Sequence, residues 1–291
     1  MTYRIGIDIG GTKISFVLLK GVRVVKKRKI FTPKTKKEII KKLEGNIENF
    51  FFNIPKREIS GIGIGVPGPL NIQTNTILNP PNLISLRNCP LARIIERRSG
   101  IKTEMDNDVN CFTLAEAILG AGRGKRVVFG VTLGTGVGGG IVINKRIYQG
   151  AFGGAGEVGH TIINFDGPRC NCGNYGCLEE YCSERFIKRR TGLTPQELRK
   201  RAREGDKKAI EVFQELGKFL GIGLANVVNI LSPEIIIIGG GISRAGNLIF
   251  RSARKTMRDY ILSPTAKKNV KIKKARLGDF SGAIGAALLI K

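Results

Sequence analysis

The chain has 291 residues, 42% of them hydrophobic, and carries 49 lysines and arginines against 23 acidic residues, a formal net charge of +26. This length and composition indicate a soluble globular protein with room for two domains, and no apolar run reaches the length of a membrane span. The N-terminus has no signal-peptide pattern, so we expect a cytoplasmic protein without a membrane partner.

The first half of the chain predicts alternating strands and helices. Apolar, β-branched runs indicate strands, whereas apolar residues at helical spacing indicate helices. The predicted strands are Tyr3–Ile9, Ile14–Leu19, Arg23–Phe31, Ile62–Val66 and Lys102–Met105. The predicted helices are Thr35–Phe52, Leu91–Arg98 and Val109–Leu119.

The second half repeats the two kinds of element. Its predicted strands are Val127–Leu133, Gly138–Ile143, Ile235–Ile238 and Val270–Lys274. Its predicted helices are Glu184–Arg190, Pro195–Glu204, Lys207–Leu231, a helix from Ser243 to about Ile261, and Gly282–Ile290. Thr194 and Ser243 precede two of these helices as expected N-caps, and Pro195 suits the first helical position.

Two stretches of the sequence are alike. IGIDIGGTKISFVL near the N-terminus and FGVTLGTGVGGGIVI from Phe129 each contain a strand, a Gly/Thr turn and a second strand. This similarity suggests a duplicated domain in which two hairpins hold the phosphates of one nucleotide, since glycine turns expose backbone N–H groups. The alternative is two ordinary hairpins.

Other glycine-rich segments are weaker indications of a nucleotide. Gly134-x-Gly136-x-x-Gly139 matches the dinucleotide fingerprint, but a strand pattern follows it where the fingerprint requires a helix. The Gly239–Gly241 turn lies between a predicted strand and a predicted helix, where a nucleotide can bind. A plain strand-to-helix turn explains that segment equally well.

A cluster of cysteines surrounds the only histidine. His160, Cys170, Cys172 and Cys177 have the ligand types of a closed, tetrahedral structural zinc site. The alternative is a chance group of buried cysteines. The segment begins and ends with carboxylates, Glu157 and Glu179, which we expect to bind substrate because a closed metal site leaves no position for catalysis; the alternative is two solvated surface charges.

Together these motifs resemble the ROK family (repressor, open reading frame, kinase) of sugar kinases. The similarity covers nearly the whole chain. It rests on DIGGTK at Asp8–Lys13, NDVN at Asn107–Asn110, LGTGVGGG at Leu133–Gly140, EVGH at Glu157–His160 and CNCGNYGCLE at Cys170–Glu179.

The resemblance implies an α/β fold of the actin-like ATPase (ribonuclease H-like) type, with duplicated domains and a cleft between them. We place an N-terminal domain at residues 1–110, joined by a C-terminal helix at 279–291, and a second domain with the zinc knuckle at 111–278. The implied activity is transfer of the ATP γ-phosphate, with Mg²⁺, to a hexose 6-hydroxyl, glucose being the first expectation. N-acetylmannosamine, N-acetylglucosamine and fructose are alternative substrates.

The resemblance also implies roles for individual residues. Asp108 is the expected general base, with a helix N-cap as the alternative interpretation. The expected sugar-binding residues are Gly68, Asn107, Asp108, Glu157, His160 and Glu179. The expected residues for ATP and Mg²⁺ are Asp8, Gly10, Gly11, Thr12, Lys13, Thr135, Gly136, Gly138 and Gly240.

Partners follow from the same reasoning. Family repressors carry an N-terminal DNA-binding extension, and the first phosphate motif begins here at residue 8, so we expect none. The basic residues come without a nucleic-acid-binding zinc finger or aromatic stacking motif, so we expect a lysine-rich solvated surface and no specific nucleic-acid partner. Nucleic-acid binding driven by the charge is the alternative. A homodimer or homotetramer is usual in the family. A sugar sensor without turnover is the alternative of another class.

Overall fold

The computed structural model describes residues 2–291, and the chain forms two compact units. The first unit contains Met1–Arg123, Lys145–Ala155 and Arg276–Lys291, and the second contains Gly124–Asn144 and Gly156–Ala275. No helix among the described residues is long and apolar enough to cross a bilayer.

The elements follow the predicted alternation. The strands are β1 (Tyr3–Ile9), β2 (Lys13–Lys20), β3 (Arg23–Phe31), β4 (Ile59–Val66), β5 (Leu70–Asn71), β6 (Thr76–Ile77), β7 (Thr103–Asn107), β8 (Val127–Leu133), β9 (Val137–Ile143), β10 (Arg146–Ile147), β11 (Ile235–Gly239) and β12 (Lys271–Lys274). The α-helices are α1 (Lys36–Phe51), α2 (Leu91–Ser99), α3 (Asp108–Ile118), α4 (Glu179–Cys182), α5 (Glu184–Thr191), α6 (Pro195–Arg203), α7 (Lys207–Leu231), α8 (Asn247–Tyr260), α9 (Pro264–Asn269) and α10 (Ser281–Leu289).

The first unit is a five-stranded sheet in the order β3-β2-β1-β4-β7, covered on both faces. Alternate residues of β2 point to opposite faces: Phe16 and Leu18 join a core with α1 and α2, whereas Val17 and Leu19 join a core with α3 and α10. Helix α10 lies so close to β4 that a Cβ at Gly63 would be 1.7 Å from the Ala286 carbonyl oxygen. Glycine is therefore required there.

The second unit repeats this arrangement. Its long strands stand in the order β9-β8-β11-β12, with β9 antiparallel to β8 and the next two pairs parallel. The corresponding strands of the first unit, β2-β1-β4-β7, pair in the same senses. The matching topology supports the duplication inferred from the two glycine hairpins. Since β9 follows the Gly134–Gly136 turn, the structure also agrees with rejecting the dinucleotide fingerprint.

The chain divides at a different point from the expected boundary at residue 110. Residues up to Arg123 belong to the first unit, and so does α3. The reason is packing: α3 lies against α10, and the carboxylate of Glu116 in α3 accepts hydrogen bonds from the backbone N–H groups of Arg276 and Leu277, both at 2.8 Å.

One predicted helix start is wrong. Ser243 does not cap α8; it lies in a 3-10 helix, Ile242–Ala245, and its hydroxyl donates to the Gly240 carbonyl at 2.7 Å. Helix α8 begins only at Asn247, after Gly246 with φ of 61°. The Thr194 prediction is confirmed, since its hydroxyl accepts from Glu197 N and the Glu197 carboxylate accepts in return from Thr194.

Candidate functional site

The first glycine turn joins β1 to β2 and contains the residues expected at ATP and Mg²⁺. Gly10 N donates to Lys13 O at 2.9 Å, which closes the turn, and Thr32 Oγ1 donates to Gly10 O at 2.7 Å. Gly11, Thr12 and Lys13 are exposed. The turn therefore presents backbone N–H groups and a lysine to solvent, an arrangement that suits phosphate oxygens.

The expected base lies where β7 passes into α3. Asn107 is the N-cap of α3, since its Oδ1 accepts from Val109 N at 2.8 Å and from Asn110 N at 3.3 Å. Asp108 is the first residue of the helix, and its Oδ1 also accepts from Val109 N, at 2.9 Å. The cap alternative for Asp108 thus applies mainly to its neighbour. A Cβ built on Gly68 would lie 3.2 Å from Asn107 Nδ2, so two expected sugar ligands are adjacent.

The buried carboxylate of Asp106 stabilises the junction between β7 and α3. Asp106 is 4% exposed and accepts hydrogen bonds from Asn107 N, Asn110 Nδ2 and Gln149 Nε2 at 2.7, 2.9 and 2.8 Å. Burial raises the pKa of Asp106, and these three hydrogen bonds oppose the rise. Gln149 comes from the 145–155 segment, which is 43 residues away in sequence and was not singled out from the sequence.

Two carboxylates of the first unit interact electrostatically. Burial, with a further contribution from the negative charge of Asp108, raises the pKa of Asp8 to about 7, while Lys29 opposes the shift. Asp8 lies on β1 and Asp108 at the end of β7, two strands away in the same sheet. A pair of carboxylates that repel each other is a favourable place for a divalent cation, and oxygen ligands suit Mg²⁺.

The second glycine turn, residues 134–137, joins β8 to β9 and contains Thr135 and Gly136, with Gly138 just after it in β9. Gly134 N donates to Gly136 O at 3.0 Å. Gly240, with φ of 84°, packs against the end of β8, where an added Cβ would be 2.2 Å from Leu133 O. Gly240 therefore lies beside Leu133, the residue that directly precedes the second glycine turn.

The cysteines and the histidine do form one cluster. The ligand atoms of His160, Cys170, Cys172 and Cys177 all lie within 4.8 Å of one another. Cys172 Sγ is 3.6 Å from Cys177 Sγ, and Cys170 Sγ is 3.8 Å from His160 Nδ1. Two sulfurs bound at about 2.3 Å to one tetrahedral ion would be about 3.8 Å apart, so the donor types and spacings fit zinc. The cysteines are unpaired as disulfides.

The two carboxylates that bracket this cluster have different surroundings. Glu157 is exposed and lines an apolar groove of about 200 Å³ formed by β8, β9 and α7. Glu179 is half-buried against the second glycine turn: its Oε2 accepts from Val137 N at 2.9 Å, and its Oε1 accepts from Arg185. Arg185 was not identified from the sequence, because nothing in α5 marks one arginine among several.

Comparison with known proteins agrees with these features. The ROK family profile matches residues 4–291. A glucokinase from Streptomyces coelicolor is 33% identical and one from Thermotoga maritima 34% identical, with 100% and 99% of this chain covered and 98% and 96% of theirs. A xylose repressor from Caldicellulosiruptor bescii is 33% identical over 98% of this chain and 77% of its own length.

Solved structures give the same result. A ROK hexokinase from Thermus thermophilus superposes with a TM-score of 0.87 at 32% identity, covering 99% of this chain and 98% of that one. A ROK glucokinase from Streptomyces griseus, solved with glucose and AMPPNP, gives 0.85 at 33% identity with 99% of both chains covered. The fold is therefore the actin-like ATPase fold with duplicated α/β units, and the chain belongs to the ROK family.

Proposed function

We propose that the protein is an ATP-dependent hexose kinase that converts glucose to glucose 6-phosphate. The observation that carries the proposal is the position of Asp108 at the start of α3. Asp108 directly follows the cap residue Asn107 and interacts electrostatically with Asp8. The similarity of the full chain to glucokinases supports the choice of substrate.

The proposed chemistry is a direct phosphoryl transfer. The sugar 6-hydroxyl oxygen attacks the γ-phosphorus, the bond from that phosphorus to the β,γ-bridging oxygen breaks, ADP leaves, and the hydroxyl proton passes to the Asp108 carboxylate. Such reactions need positioning and charge neutralisation more than covalent catalysis. Asn107 Nδ2 and the Gly68 backbone would orient the sugar beside the base.

The nucleotide would be held by both glycine turns, with Gly10, Gly11, Thr12 and Lys13 in the first unit and Thr135, Gly136, Gly138 and Gly240 in the second. Asp8 would hold Mg²⁺, which neutralises phosphate charge when bound, usually through water. Domain closure would exclude water as a competing acceptor.

The remaining sugar contacts come from residues 157–179, which we call the Cys/His segment. Glu157 and Glu179 would accept hydrogen bonds from sugar hydroxyls. Since His160 Nδ1 faces Cys170, its Nε2 is the nitrogen left for the sugar. Cys170, Cys172, Cys177 and His160 would hold a structural zinc, which supplies rigidity and no open coordination position. We also propose a homodimer or homotetramer, as the resemblance implies.

The deciding experiment is Asp108→Asn. We expect ADP release in the presence of glucose to fall by at least about 10²–10⁴-fold, because proton transfer is lost, while glucose still binds in calorimetry. Near-wild-type turnover in the variant contradicts the assignment of the base.

A sugar sensor is the second candidate, favoured by the xylose repressors among the relatives. It predicts that the wild type binds a sugar but releases no ADP with any member of a panel of glucose, mannose, fructose, N-acetylmannosamine and N-acetylglucosamine. The same panel distinguishes glucose from the other hexoses as substrate.

A further inference from the structure

The segment that follows the Cys/His cluster is attached directly to the second glycine turn. Glu179, two residues after Cys177, accepts from Val137 N at 2.9 Å. Glu184 N donates to Gly134 O at 2.9 Å, and Thr135 Oγ1 donates to the Glu184 carboxylate at 3.5 Å. Residues 179–184 therefore contact both ends of the turn and its middle.

Glu179 also lies directly against Gly136. A Cβ built on Gly136 would be 2.4 Å from Glu179 Oε2, so the carboxylate reaches the Val137 N–H only because residue 136 has no side chain. An ionised carboxylate offers about four lone-pair directions. Val137 and Arg185 occupy two of them, which leaves capacity for a sugar hydroxyl on the same group.

Arg185 fixes this carboxylate in place. Its Nη2 donates to Glu179 Oε1 and lies 3.1 Å from Glu180 Oε1. Glu180 is 3% exposed and also pairs with Arg189, whose Nη1 lies 3.1 Å from Glu180 Oε2. The charges of the two glutamates and two arginines cancel, so Glu180 keeps a cationic partner if either arginine is removed. Among the described residues, Arg185 is the only cation that pairs with Glu179.

We propose that Arg185 is a positioning residue that couples the sugar and nucleotide sites. Arg185 holds Glu179 against the Val137 N–H. The sugar-binding carboxylate and the second glycine turn therefore form one ordered element. A sugar that binds Glu179 then orders the turn, and the nucleotide phosphates meet a turn that is already fixed. Shared ordering of this kind produces positive cooperativity. The proposal rests on the proposed function.

The test compares Arg185→Met with the matched control Arg189→Met. Each variant removes one guanidinium that pairs with Glu180, but only the first removes a contact with Glu179. Calorimetry measures the Kd of AMPPNP, with Mg²⁺, in the absence and presence of saturating glucose. We expect glucose to tighten AMPPNP binding by at least about 5-fold in the wild type and in Arg189→Met, which is the usual size of such coupling.

In Arg185→Met the ratio should fall towards 1, with the affinity for AMPPNP alone little changed and the zinc content unchanged. Arg185→Lys, which restores a charge, should recover part of the ratio and decides the question if the Met variant folds poorly. Equal ratios in all variants, no coupling in the wild type, or the same loss in Arg189→Met overturns the proposal. Failure of the proposed function is a different result, namely a wild type that binds glucose with coupling but releases no ADP.

Discussion

At the scale of single residues, Asp8 is the group whose protonation should affect stability most directly. Its pKa is raised to about 7 by burial and by Asp108, whereas an unfolded aspartate titrates near 3.8. The folded state therefore binds more protons between about pH 4 and 7, and the free energy of unfolding falls as pH rises through that window. Above it, the ionised carboxylate destabilises the fold fully unless a cation is bound.

Asp8→Asn removes this penalty. Without Mg²⁺, at pH 8, we expect the variant to unfold at a higher temperature than the wild type, because its free energy of unfolding is larger by about 1–3 kcal/mol. At pH 4 the free energies of unfolding of the two proteins should agree. Scanning calorimetry in magnesium-free buffer without a chelator, so that zinc is retained, measures this. Asp166→Asn, at an exposed position, is the control and should show no pH-dependent difference. Equal stability of Asp8→Asn and wild type at pH 8 would show that burial does not strain Asp8.

At the scale of elements, the sequence predicts those features that depend on residues close together in the chain. The hairpin β8–β9, the long helix α7 and the Thr194 capping box follow from residues within a few positions of each other. Contacts between distant residues could not be predicted this way. The hydrogen bond from Gln149 to Asp106 and the Arg185–Glu179 pair depend on how elements pack. The prediction for Ser243 is wrong because its hydroxyl donates to the Gly240 carbonyl instead of capping α8.

The Cys/His segment is an element that its own packing stabilises weakly. Ile162, Phe165 and Tyr175 are exposed, at 53%, 81% and 54%, so few apolar side chains hold the loop. If zinc holds it, the purified protein should contain one zinc per chain, and a chelator should expose residues 161–176 to proteases. We expect tryptic cleavage after the exposed Arg169 to rise by about 10-fold or more, as measured by mass spectrometry.

Cleavage after Lys145 provides an internal control, because this exposed residue lies in the turn after β9, outside the Cys/His segment. Its rate should not change with chelator. Cys172→Ser should behave as the chelated wild type does. If Arg169 stays protected in the metal-free protein, the loop does not depend on the cluster for its order.

At the scale of the whole molecule, duplication and charge are separate features. The repeated strand order explains why each unit contributes one glycine turn, but it does not explain a net charge of +26. The cations are spread over both units. Residues 251–275 contain nine of them with Asp259 as the only acid, and none of the eight ion pairs found within the described residues involves this segment.

A dispersed charge of this kind should bind polyanions without a dedicated site. We expect weak binding of duplex DNA at low salt, unaffected by glucose and lost by on the order of 10³-fold between 50 and 200 mM salt, because binding releases counterions. Two variants with equal charge locate the effect: Arg251→Gln/Lys255→Gln/Arg258→Gln on α8 and Lys200→Gln/Arg201→Gln/Arg203→Gln on α6, all at exposed positions. Fluorescence anisotropy should show similar losses of affinity for both. A loss confined to the α8 variant would contradict dispersed binding, because it would place a specific anion site on that helix.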